Sequence, residues 1–212
     1  MNGANPIVDC GLTCHEEWLR LPLEPTADLS TWSQETATEL LRHYGRAAAT
    51  MDPALFTQEL RERAADSRGR GPVHAFALCL PGVDRVAAML EIDFIHPDET
   101  VPEITLDWIV ETFTADDFGP PQTTKARLPA GPAVRIRQNF AASEESDGGG
   151  RVLMETVTYG LRPPDTGSAV MMFVSWTVPG VADLVERMGD DISETLTVAT
   201  ARDDARSTES ER

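Results

Sequence analysis

From Thr123 to Thr177 the chain reads as four extended segments in succession, and one amphipathic segment follows them to about Thr195. Strands that follow one another through short turns pair antiparallel. A helix placed after them has an apolar sheet face to cover. The four segments are Thr123–Leu128, Ala133–Ala142, Val152–Leu161 and Ala169–Thr177. Pro129-Ala130-Gly131-Pro132 turns between the first two, and the acidic, glycine-rich Ser143–Gly150 loops between the second and third. Arg135, Arg137 and Asn139 alternate with Val134, Ile136 and Phe140, which predicts one polar and one buried face. Val181, Leu184, Val185, Met188, Ile192 and Leu196 then step by three and four residues. That spacing predicts a helix opened by Pro179 and running to about Thr195, across a Gly189 that costs roughly 1 kcal/mol against Ala.

Upstream, residues 1–30 read as an irregular arm tethered by Trp18, Leu19, Leu21 and Leu23, with a short strand at Glu17–Leu21. Ser30 reads as an N-cap for a helix over Trp32–Thr50. Asp52 followed by Pro53 starts a second helix, because Pro at the first helical position loses no needed donor. Leu55, Phe56, Leu60 and Ala64 give it an apolar face, and Ser67–Pro72 reads as a loop. Val73–Leu80 and Arg85–His96 form a hairpin around Pro81-Gly82-Val83-Asp84. With Leu80 facing Arg85, His74 falls opposite Glu91 and shares a face with Phe76, Leu78 and Met89. Ala75, Ala77, Cys79, Leu90 and Ile92 line the other face, so the hairpin is covered on both sides. Pro102–Phe113 fits both periods and is read as a helix through Ile104, Trp108, Ile109 and Phe113.

The fold class that follows is α+β: a central antiparallel β-sheet of about six strands, packed by N-terminal helices and a C-terminal helix as an α/β/α sandwich. Residues 1–200 read as a single domain, with the arm over 1–30, a helical segment over 31–66, and sheet plus C-terminal helix over 73–198. Residues 201–212 are charged, lack apolar groups and are expected to be disordered.

Charge narrows the function classes. The chain carries 35 Asp+Glu against 18 Lys+Arg, a net of −17. Residues 1–122 hold 21 of the acids against 8 bases, so an acidic face belongs mostly to that part. A nucleic-acid binder releases counterions through a basic surface, and an anionic membrane repels this chain, so neither partner is expected. A basic protein partner is compatible with it. The N-terminus shows no basic segment followed by an apolar run, and no stretch approaches the roughly 20 apolar residues of a membrane span. Three cysteines argue against a disulfide framework. These observations lead to an expectation of a cytoplasmic protein.

No motif carries chemistry by itself. Cys10, Cys14 and His15 miss the c-type haem register by one residue, and one short cysteine pair is too few for a structural zinc site. Adjacent Cys14 and His15 on an extended segment point to opposite faces and cannot act as a nucleophile pair. Gly148-Gly149-Gly150 lacks the Lys-Ser/Thr ending of a phosphate loop. Arg61, Arg63, Arg68 and Arg70 form a mild basic run of the kind found on a solvated helix end. No catalytic residue, metal or cofactor is assigned. His74, Glu91, Asp93 and His96 are the candidate ligand-binding residues, since convergent carboxylates and imidazoles can bind a ligand or do acid–base work.

The last strand Val170–Thr177, then Pro179-Gly180 and the helix Val181–Thr195, resembles in element order the PsbP-like α/β/α sandwich family. That sandwich also occurs in a Ran-binding nuclear import factor and in many bacterial lipoproteins. The resemblance covers roughly residues 73–198 and carries over no functional residue. The chain departs from the lipoprotein members by lacking a signal peptide and a lipidation cysteine in context, and by its extra helical segment. The resemblance implies an accessory, partner-binding role more than catalysis. The leading expectation is therefore a non-enzymatic accessory protein that binds a protein partner through an acidic surface. Glu99, Glu103, Asp107, Glu111, Asp116 and Asp117 are the candidate partner-binding residues. The alternatives are a small-ligand-binding protein or enzyme using a pocket near the 73–96 hairpin, and a subunit of a larger assembly that leaves Met171 and Phe173 exposed in the isolated chain.

Overall fold

A computed structural model describes residues 5–116, 118–143 and 151–202. The order of elements is β1 (Ile7–Gly11), β2 (Trp18–Arg20), α1 (Leu29–Tyr44), a short 3-10 turn (Gly45–Ala48), α2 (Pro53–Arg70), β3 (His74–Leu78), β4 (Ala88–Ile95), α3 (Leu106–Phe113), β5 (Gln122–Leu128), β6 (Gly131–Ser143), β7 (Arg151–Leu161), β8 (Ala169–Trp176), α4 (Ala182–Glu194) and β9 (Thr197–Thr200). Seven strands form one sheet in the order β2-β3-β4-β8-β7-β6-β5, and β1 and β9 form a separate ribbon. Every pairing is antiparallel. The α+β class and the helix-covered sheet are as expected, with one strand more than the six anticipated and the ribbon in addition. The Ser143–Gly150 loop beyond Ser143 itself, Asp117, and the tail beyond Arg202 lie outside the described residues.

Three clusters hold the layers together. One sheet face presents Phe76, Leu78, Leu90, Ile92, Val157, Tyr159, Met172, Val174 and Trp176 to α4, whose Val185, Met188 and Ile192 are buried, and to the ribbon. The opposite face is covered by two separate helical blocks. Phe56, Leu60 and Ala64 of α2 are fully buried against Ala75, Ala77 and Cys79, whose small side chains let the helix approach. Each of the two large ones contributes about 1.5–3 kcal/mol of burial. Farther along, Ile104 and Ile109 are fully buried against Val134, Ile136 and Met171. Gly160 permits that contact, since a Cβ there would lie 2.7 Å from Ile109 Cγ2. The N-terminal helices thus pack on the sheet. No described helix is long and apolar enough to cross a membrane.

Local chemistry sets the helix ends. Asp28, two residues before the expected Ser30, caps α1 by accepting from the Ser30 and Thr31 amides at 3.0 and 3.2 Å. Asp52 caps α2 in the same way, with Pro53 in its first turn. The stretch read as a loop from Ser67 is helical to Arg70, and Gly71 ends it in the left-handed region at φ 73°. Leu55, expected on the apolar face of α2, is 55% exposed. Thr105 caps α3 and so decides the ambiguous segment for helix.

Two expectations are corrected. The β3–β4 register pairs His74 with Ile92 and Ala75 with Glu91, one residue away from the expected pairing. A one-residue shift flips every side chain of a strand relative to its partner. His74 therefore shares a face with Phe76, Leu78, Leu90 and Ile92, whereas Glu91 joins Ala75, Ala77 and Met89. The cause is the connection: the strand pairing stops at Leu78 and Ala88, leaving nine residues in a loop with a turn from Leu80 to Val83. The second correction concerns assembly. Met171 is fully buried under α3 and Phe173 packs on Phe113 at 5.7 Å, so neither is an exposed apolar patch.

Candidate functional site

The helical blocks on the second face do not meet. Between α2 and the C-terminal end of α3 the sheet is bare, and a groove of about 420 Å³ opens there. Its floor crosses four strands in register: Met89 and Glu91 on β4, Phe173 and Ser175 on β8, Thr156 and Thr158 on β7, and Gln138 and Phe140 on β6. Met154 closes the far corner with Phe140, Phe113 of α3 forms one wall, and Arg63, Asp66 and Arg70 of α2 form the other. Three strand spacings separate β4 from β6, so the floor is ~14 Å across.

Its polarity runs in one direction. At the α3 end Phe113, Phe140 and Met154 are apolar, and Gln138 is used up holding the helix: its side chain donates to Phe113 O at 2.7 Å and accepts from the Ala115 amide at 2.9 Å. At the α2 end charges gather. Arg70 donates to both carboxylate oxygens of Glu91, at 2.6 and 3.0 Å, and Ser67 adds a third bond to Glu91 at 2.6 Å. Arg63 is held by Glu59 at 2.9 Å. Asp66 lines the groove at its exposed rim, where its charge faces the Arg70 guanidinium. Asp93, one step along the same strand face as Glu91, has its carboxyl pushed above the usual range by burial and by the Glu91 charge, against the pull of Arg70. In the middle of the floor the Thr158 and Ser175 hydroxyls have no hydrogen-bond partner among the described residues.

The four expected ligand-binding residues are therefore dispersed. Glu91 lines the groove and Asp93 lies beside it. His74 is on the other face, where Arg20 donates to its Nδ1 at 3.2 Å and its Nε2 donates to Cys10 O at 3.0 Å. Arg has no acceptor and a carbonyl has no donor, so the tautomer is fixed and the ring is a strut joining β1, β2 and β3. His96 is exposed, bonded to Ser168 Oγ at 2.8 Å and set edge-on to Phe94. The imidazoles and carboxylates do not converge, and this corrects the expectation of a His74–Glu91 site. Phe113, Phe140, Met154, Thr158 and Ser175 were missed, because they come from four separate elements and no local pattern joins them.

The six expected partner-binding acids also divide. Glu103 faces Arg162 at 3.7 Å and Asp107 faces Lys125 at 3.5 Å. Glu99, Glu111 and Asp116 are exposed without a basic partner among the described residues, and Asp117 lies outside them. The thiols of Cys10, Cys14 and Cys79 are pushed up to about 12, about 11 and about 12, mainly by burial, which keeps them protonated and poorly nucleophilic. His15 faces Asp191 at 3.6 Å. Among the described residues no group of three or more His, Cys, Asp or Glu is arranged to hold a metal ion.

A second polar cluster lies under α4. Arg135 donates to Asp190 and Glu186, each at 2.8 Å, and Arg137 donates to Glu186 at 2.8 Å and to Glu155. Trp176 Nε1 completes Glu155 at 3.2 Å, and the Tyr159 hydroxyl donates to Asp190. The face read as polar is thus covered by the helix, with Arg137 stacked 4.9 Å over Trp176. Gly189 faces this cluster, and a Cβ there would meet the Tyr159 hydroxyl at 3.4 Å, at the edge of ordinary contact. All these groups are satisfied by one another, which marks a structural clamp.

No family model matches the chain, and no curated protein matches it. Among solved structures it is similar to LpqN, described as involved in cell envelope biogenesis of Mycobacterium tuberculosis. The likeness is 11% identity over 93% of this chain and 87% of that one, at a TM-score of 0.47.

Proposed function

We propose that this chain works by binding a small, largely apolar ligand in the groove between α2 and α3. The observation that carries the reading is an opening of about 420 Å³ in the middle of a sheet face that is otherwise packed. Protein interiors are filled to crystal-like density, and a void of this size lies in the range of small-ligand sites. Its floor offers Phe140, Met154 and Phe173 for an apolar body and two unpartnered hydroxyls to orient it. Binding fits these groups better than catalysis. A hydroxyl nucleophile needs a base in hydrogen-bond reach, and neither Thr158 nor Ser175 has one among the described residues. Glu91, the carboxylate nearest them on the floor, already accepts three bonds. The test is fluorescence titration with N-phenylnaphthylamine, a neutral dye that brightens in apolar sites. Wild type is expected to bind it, and Ser175→Trp, which fills a half-buried groove position, to bind at least tenfold more weakly. Equal binding by both chains would place the dye elsewhere and defeat the reading.

A second reading, a basic protein docking on the acidic surface, is favoured by Glu99, Glu111 and Asp116, which stay exposed without a basic partner among the described residues. Such acids steer a partner at low salt. Replacing all three by Gln is expected to abolish salt-sensitive capture of that partner. Unchanged capture by the triple variant would remove these acids from the interface.

A further inference from the structure

We infer that the ligand of this groove is uncharged, an apolar molecule with a hydroxyl or carbonyl oxygen seated over Thr158 and Ser175, and that the Arg70–Glu91 ion pair is what disfavours charged ligands. This rests on the groove being a ligand site and adds the ligand's chemical class.

Among the described residues of the floor, Glu91 alone carries a charge, and that charge is engaged. Its side chain is 16% exposed. It accepts two bonds from Arg70 and one from Ser67, out of the roughly four that a carboxylate can take. Arg70 is engaged in turn. Besides Glu91 it donates to Ser67 Oγ at 3.3 Å, and it faces the charges of Asp66 and Asp93. Arg63 bonds to Glu59 at 2.9 Å. Asp66 stands at the exposed rim, where water and salt screen it. An ammonium head would therefore compete with Arg70 for Glu91, and a carboxylate head would compete with Glu91 for Arg70. Either would also give up its hydration on entering an apolar groove, with no free counter-charge on the floor to replace it.

What the floor offers instead is neutral. β7 and β8 pair Thr156 with Ser175 and Thr158 with Phe173, so Thr158 and Ser175 are diagonal neighbours on one sheet face. Such neighbours lie about 7 Å apart, and one ligand oxygen between them comes within reach of both hydroxyls. A hydroxyl donates and accepts, so the pair suits an alcohol or a carbonyl. Two neutral hydroxyls do not replace the water shell of an ion. Apolar side chains flank the pair. Met89 stands opposite Ser175 in the β4–β8 register. Phe173, packed on Phe113 at 5.7 Å, leads to Phe140 and Met154 at the other end. The ~14 Å floor then takes an extended chain or a pair of fused rings.

The test is competition against bound N-phenylnaphthylamine at neutral pH, using three ligands of equal chain length: decanol, decylamine and decanoate. On wild type, decanol is expected to displace the dye at concentrations about tenfold below either charged ligand. Glu91→Gln frees the Arg70 guanidinium and is expected to shift the decanoate-to-decylamine affinity ratio at least threefold toward decanoate. Arg70→Gln leaves Glu91 unpaired and is expected to shift the same ratio toward decylamine. Thr158→Val combined with Ser175→Ala is expected to weaken decanol about fivefold. The wild-type order is a test whether or not the variants fold. A charged ligand that matches decanol on wild type would overturn the uncharged class. A ratio that stays put, or moves the same way, in both folded charge variants would overturn the role of the ion pair, and unchanged decanol affinity in the double variant would overturn the hydroxyl seat. Each of these leaves the groove as a ligand site. Failure of wild type to bind the dye or decanol would overturn the groove itself.

Discussion

Under α4 the five charged side chains Arg135, Arg137, Glu155, Glu186 and Asp190 pair with one another and with Tyr159 and Trp176, and Arg137 also donates to Gln138 O and Asn139 Oδ1. Across the same sheet, between α2 and α3, the Thr158 and Ser175 hydroxyls have no hydrogen-bond partner among the described residues. Both regions are clusters of polar residues on an apolar sheet, and by sequence the first is the more eye-catching. The contrast separates structure from function. A closed network has spent its bonding capacity on the fold, while an open set keeps capacity for something else. In the first region a single helix spans the polar strip; in the second, two helical blocks stop short of each other.

The comparison breaks most visibly at Arg137. Replacing it by Leu leaves Glu155 without its cation and Glu186 with one of two, and a loss of about 3 kcal/mol is expected in urea unfolding. The melting temperature should fall by roughly 6–12 °C. A change below about 1 kcal/mol would mean that the network is held by water and not by the clamp. Gly160→Ala acts next, on the open face. Its new Cβ meets Ile109 at 2.7 Å, so α3 must lift from the sheet at an expected cost of about 1–3 kcal/mol. Because α3 supplies one wall of the groove, dye binding should weaken together with stability; retained binding would detach the groove from α3.

Acid sharpens the contrast further. Burial alone would raise the Glu186 carboxyl, but bonds from Arg135 and Arg137 outweigh it and the net shift is below 4.5. A depressed folded-state value means stabilisation that is complete above the unfolded value and is lost as pH falls through the folded one. Wild type should therefore lose stability below pH 4.5, and Arg137→Leu should show a shallower acid slope. Identical slopes would remove Glu186 from acid unfolding. The smallest effect is on the open face. The Asp93 carboxyl is raised above 3.8 by burial and by Glu91, so the fold holds its proton more tightly than the unfolded chain does. Its stabilising contribution is present at low pH and is lost as pH rises. Asp93→Asn is expected to raise the melting temperature on the order of 1–2 °C at neutral pH and to change nothing near pH 3. A fall at neutral pH would show that Asp93 has a stabilising partner.

Much of the fold was legible because its signals are local. Asp52-Pro53 announces α2, the three-and-four spacing from Val181 to Leu196 announces α4, and the strands of the second half alternate plainly. The β1–β9 ribbon escaped because Ile7 pairs with Thr200, and neither short segment shows a period by itself. The hairpin register escaped because the position of its turn within a nine-residue loop sets the parity, and the side chains on both faces are apolar enough to suit either choice. The groove was the least legible. Glu91 was found as a polar residue in an apolar strand, but its neighbours come from α2, α3, β6, β7 and β8, and the gap exists only because α3 ends at Phe113.

Methionine methyl groups report on both faces at once. Met89 and Met154 line the groove, whereas Met172 and Met188 are buried under α4. A titration of methyl-labelled protein with N-phenylnaphthylamine, followed by NMR, reads the four together. The account predicts saturable shifts at Met89 and Met154, with Met172 and Met188 unmoved. Shifts at Met172 and Met188, or no saturable shift at Met89 and Met154, would contradict it.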